Sequence, residues 1–98
     1  MDYQIINDTK KGEFYIPLNN TKARLVYKMR DSQTIDLIHT TVPGEYKGKS
    51  YAKDLVEFAL NYARENNLKV IPTCPYVKSY LEKNSDAYQD IVIKASLD

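Results

Sequence analysis

A chain of 98 residues, 43% hydrophobic and 28% charged, is long enough for one globular domain with a modest core and too short for two. Its net charge of +1, with Lys and Arg dispersed along the chain, argues against a nucleic-acid-binding face. The single cysteine excludes an internal disulfide, and one His beside one Cys leaves too few soft ligands for a structural metal.

No apolar run approaches the ~18 residues needed to cross a bilayer. The opening MDYQIINDTK lacks the apolar stretch of a signal peptide. A cytoplasmic location with no membrane contact is therefore expected.

Residues 3–7 alternate in character and include two isoleucines, which predicts a short first strand, and Lys10-Lys11-Gly12 supplies a turn. Residues 14–18 follow as a second strand. Asn19-Asn20 is a hairpin turn, because Asn tolerates positive φ, and it leads into a third strand at 23–29. There Ala23, Leu25, Tyr27 and Met29 share one face, and Arg24, Lys28 and Arg30 share the other with Val26. After the turn Asp31-Ser32-Gln33, a fourth strand is expected at 34–42, with Ile35, Leu37, His39 and Thr41 on one face and Asp36, Ile38, Thr40 and Val42 on the other. Turns this short join only antiparallel neighbours, so the first four strands form a meander.

A helix over 49–66 places Tyr51, Ala52, Leu55, Val56, Ala59, Leu60 and Ala63 in one apolar stripe, with Asn66-Asn67 as its stop. Residues 68–71 then make a fifth strand, and its approach through a helix predicts parallel pairing with the fourth. Pro72 and Pro75 bracket Thr73-Cys74. A second helix at 76–83 buries Val77, Tyr80 and Leu81, 84–87 is a loop, and 91–93 has the composition of a short edge strand. The expected fold is α+β, in one domain covering 1–98.

The stretch PGEYKGKSYAKDLVEFALNYA at 43–63 organises the rest. A helix start is electropositive and disfavours cations, yet this one carries Lys47, Lys49 and Lys53. An anion bound there reconciles the two; a solvated charged turn is the alternative. Gly48, Ser50 and Ala52 are small enough to admit phosphate. Neither a Walker loop nor a dinucleotide glycine fingerprint occurs.

Cys74 lies beyond the fifth strand, on the rim where ligand sites of parallel strands sit. It is a candidate nucleophile or pocket wall, against the alternative of a buried apolar thiol. His39 is a candidate base or a structural strand histidine. Tyr76 and Tyr80 are candidate proton donors near Cys74. Asp54, Glu57 and Glu82 form no carboxylate pair and read as solvated.

Two segments, HTTVPGEYKGKSYAKDLVEFALNYA (39–63) and LKVIPTCPYVKSYL (68–81), resemble the small GNAT-related acetyltransferases that carry a cysteine after the fifth strand. In that superfamily the turn before the central helix reads [QR]-x-x-G-x-[GA], and its amides hold the pyrophosphate of acetyl-coenzyme A. Lys47, Ser50 and Ala52 take its three defined positions here. Lys47 keeps the charge, while Ser50 puts a side chain where the family has glycine.

The resemblance implies acetyl-coenzyme A as cosubstrate, a primary amine acceptor of unknown identity, and no metal. The coenzyme would lie between splayed fourth and fifth strands. Its phosphates would meet Lys47, Gly48, Lys49, Ser50, Tyr51 and Ala52, its pantetheine the backbone of Thr41, Val42 and the Pro43 carbonyl, and its acetyl end Cys74 and Tyr76. A backbone N–H near Val42 would stabilise the oxyanion, His39 would act as base and Tyr80 or Cys74 as acid. Direct transfer ranks ahead of an acetyl-Cys74 step. Two other outcomes stay open: a module that binds coenzyme A or a protein without catalysis, and a small domain with no ligand. A homodimer would supply an acceptor wall that the short chain lacks.

Overall fold

The computed structural model describes residues 3–93. Two residues with left-handed backbone begin the sheet. Gly12 (φ 74°) turns β1 (Ile6–Asp8) into β2 (Glu13–Leu18), and Asn20 (φ 60°) turns β2 into β3 (Thr21–Asp31). The next turn is held by the Gln33 N–H donating to the Asp31 carboxylate at 2.8 Å, and it returns the chain as β4 (Thr34–Thr41). Helix α1 (Tyr51–Glu65) then crosses to β5 (Lys69–Pro72), which pairs parallel to β4 in a sheet of order β1-β2-β3-β4-β5. Helix α2 (Pro75–Lys83) and a single turn, α3 (Ser85–Tyr88), complete the fold.

The expected element order holds, and the departures are local. Tyr3 is outside the first strand because it leaves the sheet for α1, where its ring sits 5.1 Å from that of Tyr51 and its hydroxyl donates to Asp54. α1 starts at Tyr51 rather than 49, because Gly48 (φ 84°) and Ser50 (ψ 16°) hold non-helical backbone. α2 starts one residue early, at Pro75, where a missing N–H costs nothing. The expected 84–87 loop contains most of α3, whose Tyr88 is buried beside the Tyr80 ring at 6.2 Å. The edge strand at 91–93 contracts to one parallel bridge, Val70 to Val92, with the Ile93 N–H on the Val70 carbonyl at 2.8 Å.

The core lies between one sheet face and the apolar stripe of α1. Phe14, Ile16, Leu25, Ile35, Leu37 and Val70 meet Leu55, Val56, Ala59, Leu60 and Ala63, all fully buried. Burying a Leu, Ile, Val or Phe contributes about 1.5–3 kcal/mol each, so this layer is what holds α1 on the sheet. The Phe14 ring sits 4.7 to 5.6 Å from the rings of Tyr27, Tyr62 and Phe58.

Two register breaks interrupt β3 and β4. Val26 pairs with His39 and Tyr27 with Leu37, so Ile38 is an extra residue on β4. The bulge resets the alternation. Thr40, opposite Leu25, joins Leu37 on the helix-covered face, while His39, opposite Val26, and Thr41, opposite Arg24, move to the other. The expectation that Leu37, His39 and Thr41 share a face is corrected accordingly. At the second break Arg30 is the extra residue, and Met29, expected in the core, is 41% exposed where the strand bends.

Candidate active site

The β4–β5 ladder stops at Leu37 opposite Pro72. One further bond, from the Cys74 N–H to the Leu37 carbonyl at 2.8 Å, closes the pairing. Prolines at 72 and 75 then turn the chain into α2. Beyond Leu37, β4 stays paired with β3 through His39, Thr40 and Thr41, and no β5 residue faces it. A gap in the sheet follows, with main-chain groups of residues 38–41 along its β4 side. Such unpaired strand groups are strong hydrogen-bonding partners for an extended ligand.

On the helix side the apex of this gap is filled. Cys74 Sγ lies 3.4 Å from Thr40 Oγ1, and the cysteine is 2% exposed. Its setting is fixed from behind by a buried carboxylate. Asp36, 3% exposed, accepts from Arg30 Nε at 2.9 Å and Nη2 at 2.6 Å, and its other oxygen accepts from the hydroxyl of Thr73, the residue before Cys74. Asp36 thus ties the bend after β5 to β4 at the point where the strands part.

At the open end of the gap, Val42 packs on the core and a 3₁₀ turn, Gly44–Tyr46, delivers the lysine-bearing segment. Lys47, Gly48, Lys49 and Ser50 are exposed, and nothing lies within 4 Å of where a Cβ on Gly48 would sit. Ser50 is the N-cap of α1 but makes no side-chain cap; only its carbonyl is used, by the Asp54 N–H at 2.9 Å. The N–H groups of Tyr51, Ala52 and Lys53 have no acceptor within the helix. Lys53 lies 4.0 Å from Glu57, whereas Lys47 and Lys49 form no ion pair among the described residues. Open backbone donors, a helix dipole and two uncommitted cations make this a place that can hold a multivalent anion. Tyr46 and Tyr3 flank Tyr51 at 5.9 and 5.1 Å, so the turn has an aromatic backing.

The candidate acid–base groups are not assembled in one place. His39 is exposed on the sheet face opposite Thr40 and Cys74. Tyr80 donates its hydroxyl to Glu57 Oε2 at 2.7 Å, and its pKa is pushed well up, first by burial and then by that bond. Tyr76, two residues after Cys74, is 42% exposed; burial of part of its ring, then the charges of Glu57 and Asp54, raise its pKa as well. Residues 47–50 form the turn that leads into α1, Tyr51 and Ala52 open the helix, and Thr41 ends β4 with Val42 next to it. Thr40 and Asp36 went unrecognised in the sequence. A lone Asp between Ile35 and Leu37, with Arg30 one hairpin turn upstream, was the available signal for the second. Among the described residues, no three His, Cys, Asp or Glu side chains group as a metal site.

A meander leading through a helix to a parallel fifth strand, with β4 and β5 parting beyond a short ladder, is the fold of the GNAT acetyltransferases. The family model described as GCN5-related N-acetyl-transferase matches residues 13–91, and the chain belongs to that family. The protein NATD1 of Danio rerio is 36% identical over 83 residues, which span 83% of this chain and 76% of that protein. Human NATD1 is 34% identical over the same share of this chain and 74% of its own length. Among solved structures, a Staphylococcus aureus protein described as a GCN5-like candidate N-acetyltransferase superposes with a TM-score of 0.72 at 36% identity, covering 92% of this chain and 87% of that one.

Proposed function

We propose that the protein transfers an acetyl group from acetyl-coenzyme A to a primary amine. The observation that carries this is that β4 runs on past the end of its β5 ladder at Leu37 and the chain then leads into the uncapped, lysine-flanked start of α1. The pyrophosphate is assigned to the N–H groups around Gly48 to Ala52, with Lys47 and Lys49 as counter-charges. The pantetheine is assigned to the free edge of β4 near Thr41 and Val42, with its thioester at the apex beside Thr40, Cys74 and Tyr76.

There the acceptor nitrogen bonds to the thioester carbon, the C–S bond breaks, and the proton lost by the amine is balanced by one delivered to the thiolate sulfur. The bulge at Ile38 supports a main-chain N–H nearer the apex than Val42 as the oxyanion donor. Among the phenols, Tyr76 is the better placed acid, since the Tyr80 hydroxyl is held by Glu57. His39 serves as base only toward an amine arriving on its own face. The nearly complete burial of Cys74 favours direct transfer over acetyl-Cys74. A cytoplasmic location fits these substrates.

The test is calorimetric titration of acetyl-coenzyme A into the protein and into Lys47→Glu, followed by mass spectrometry of an amine panel incubated with both. Binding that weakens about tenfold or more in the variant, together with an acetylated amine, supports the assignment. Binding by neither protein overturns it. Ser50, whose side chain stands where phosphate approaches, favours a second reading, a coenzyme-binding module without turnover. Saturable binding with no acetylated product from any amine selects that one.

A further inference from the structure

We infer that the acceptor is an amine bearing a carboxylate or phosphate, recruited by the bare, basic face of the sheet; this rests on the acetyltransfer reading above. The helix-side approach to the apex is closed by Cys74 and Thr40 in contact, with α1 and α2 behind them. The opposite face is open to solvent, with Lys28, His39 and Thr41 exposed on it. That side is the free approach for an acceptor nitrogen.

The side chains there follow from the register. His39 and Thr41 border the gap on β4, and Val26 and Arg24 stand directly across from them on β3. Lys22 and Lys28 extend the patch along β3, with Arg30 just beyond. Of the four acids that the register puts on this face, Glu13 and Asp36 are each only 3% exposed and lie beneath the cations, Lys22 and Arg24 pairing with Glu13 and Arg30 with Asp36, while Asp8 and Asp31 stand at the ends of β1 and β3. Arg24 reaches Glu13 only at 3.5 Å with much of its guanidinium in solvent, and Lys28 has no ion pair among the described residues. The solvent beside the gap thus meets positive charge.

Acids collect elsewhere. Asp54, Glu57 and Glu65 line a shallow cavity of about 290 Å³ along α1, on the helix side of the sheet, where Glu57 and Asp54 also act on Tyr76. A polycationic acceptor would be drawn there and repelled at the gap, whereas an anionic amine is steered to Arg24 and His39.

The test has two readouts. Acetylation of matched pairs, ethanolamine against phosphoethanolamine and glutamate diamide against glutamate, is compared with spermidine, and the two pairs separate phosphate from carboxylate as the recognised group. The inference predicts a lower KM for at least one anionic member. It also predicts a rise of about three- to tenfold in that KM in Arg24→Glu and in Lys28→Glu, with acetyl-coenzyme A affinity unchanged. Lys28→Glu removes an exposed, unpaired charge and so guards against a folding defect in Arg24→Glu. Independently of turnover, phosphoethanolamine and glutamate are titrated into the coenzyme A complex while the amide resonances of residues 24–28 and 39–41 are followed. Perturbation confined to these strands supports the face as the acceptor site even if no acetylation occurs, which would then count against the acetyltransfer reading alone. Equal KM values within each pair, preference for spermidine, or absence of any shift overturns the inference.

Discussion

Tyr80 donates its hydroxyl to Glu57 across the α1–α2 contact, and its pKa is raised by burial and by that bond. A phenol with a folded-state pKa above its ordinary value of 10.0 contributes stability that is fully present below pH 10. That contribution is lost as pH rises above it, because the unfolded phenol ionises first. Urea unfolding at pH 8 and at pH 11 should therefore show a smaller alkaline loss in Tyr80→Phe than in the unaltered protein, alongside a deficit of about 0.5–1.5 kcal/mol at pH 8 from the missing bond. Equal alkaline losses would mean that Tyr80 titrates as in the unfolded chain. Asp36 works differently: Arg30 holds one of its oxygens and Thr73 the other, so it acts on Cys74 by fixing the position of the residue before it.

Among the elements, the β1–β2 turn is the least forgiving. Gly12 has φ 74°, and a Cβ there would stand 2.7 Å from the Tyr27 carbonyl oxygen, a backbone atom that cannot swing aside. The same residue accepts the Tyr27 N–H at 2.8 Å and donates to the Asp8 carbonyl at 2.8 Å, so movement would break the sheet's own bonds. Gly12→Ala should cost about 1–3 kcal/mol, read as a lower urea midpoint at unchanged slope. Gly48→Ala, with φ 84° but open space around it, should cost only about 1 kcal/mol. In β4 the bulge at Ile38 is the corresponding feature, since it decides which side chains reach the apex.

Over the whole molecule, one apolar layer carries the stability and the charge is divided between opposite surfaces. The layer is thin, a single sheet face against α1, so each large side chain in it matters. Leu60, fully buried, should cost about 2–5 kcal/mol when truncated to Ala. That is a large share of the about 5–15 kcal/mol typical of domains, and a thermal melt should show it as a steep fall in Tm. A net charge of +1 conceals the division between the acids along α1 and the cations of the opposite sheet face. That division, more than the total, bears on what approaches the gap.

Much of this was legible in the chain because it is written in local chemistry. Gly12 and Asn20 allow positive φ, the stripe from Leu55 to Ala63 has helical spacing, and the short turns admit only antiparallel neighbours, so element order and the meander follow from neighbours in sequence. The unusual lysines marked the helix start for the same reason. What the tertiary structure alone decided depends on pairing between distant segments. The insertion of Ile38 is defined only against the register of β3; it carried His39 to the far face and put Thr40 beside Cys74. The bond from Tyr80 to Glu57 and the burial of Asp36 under Arg30 likewise require segments brought together by the core. Periodicity assumes an unbroken strand, and a single bulge inverts every face assignment that follows it.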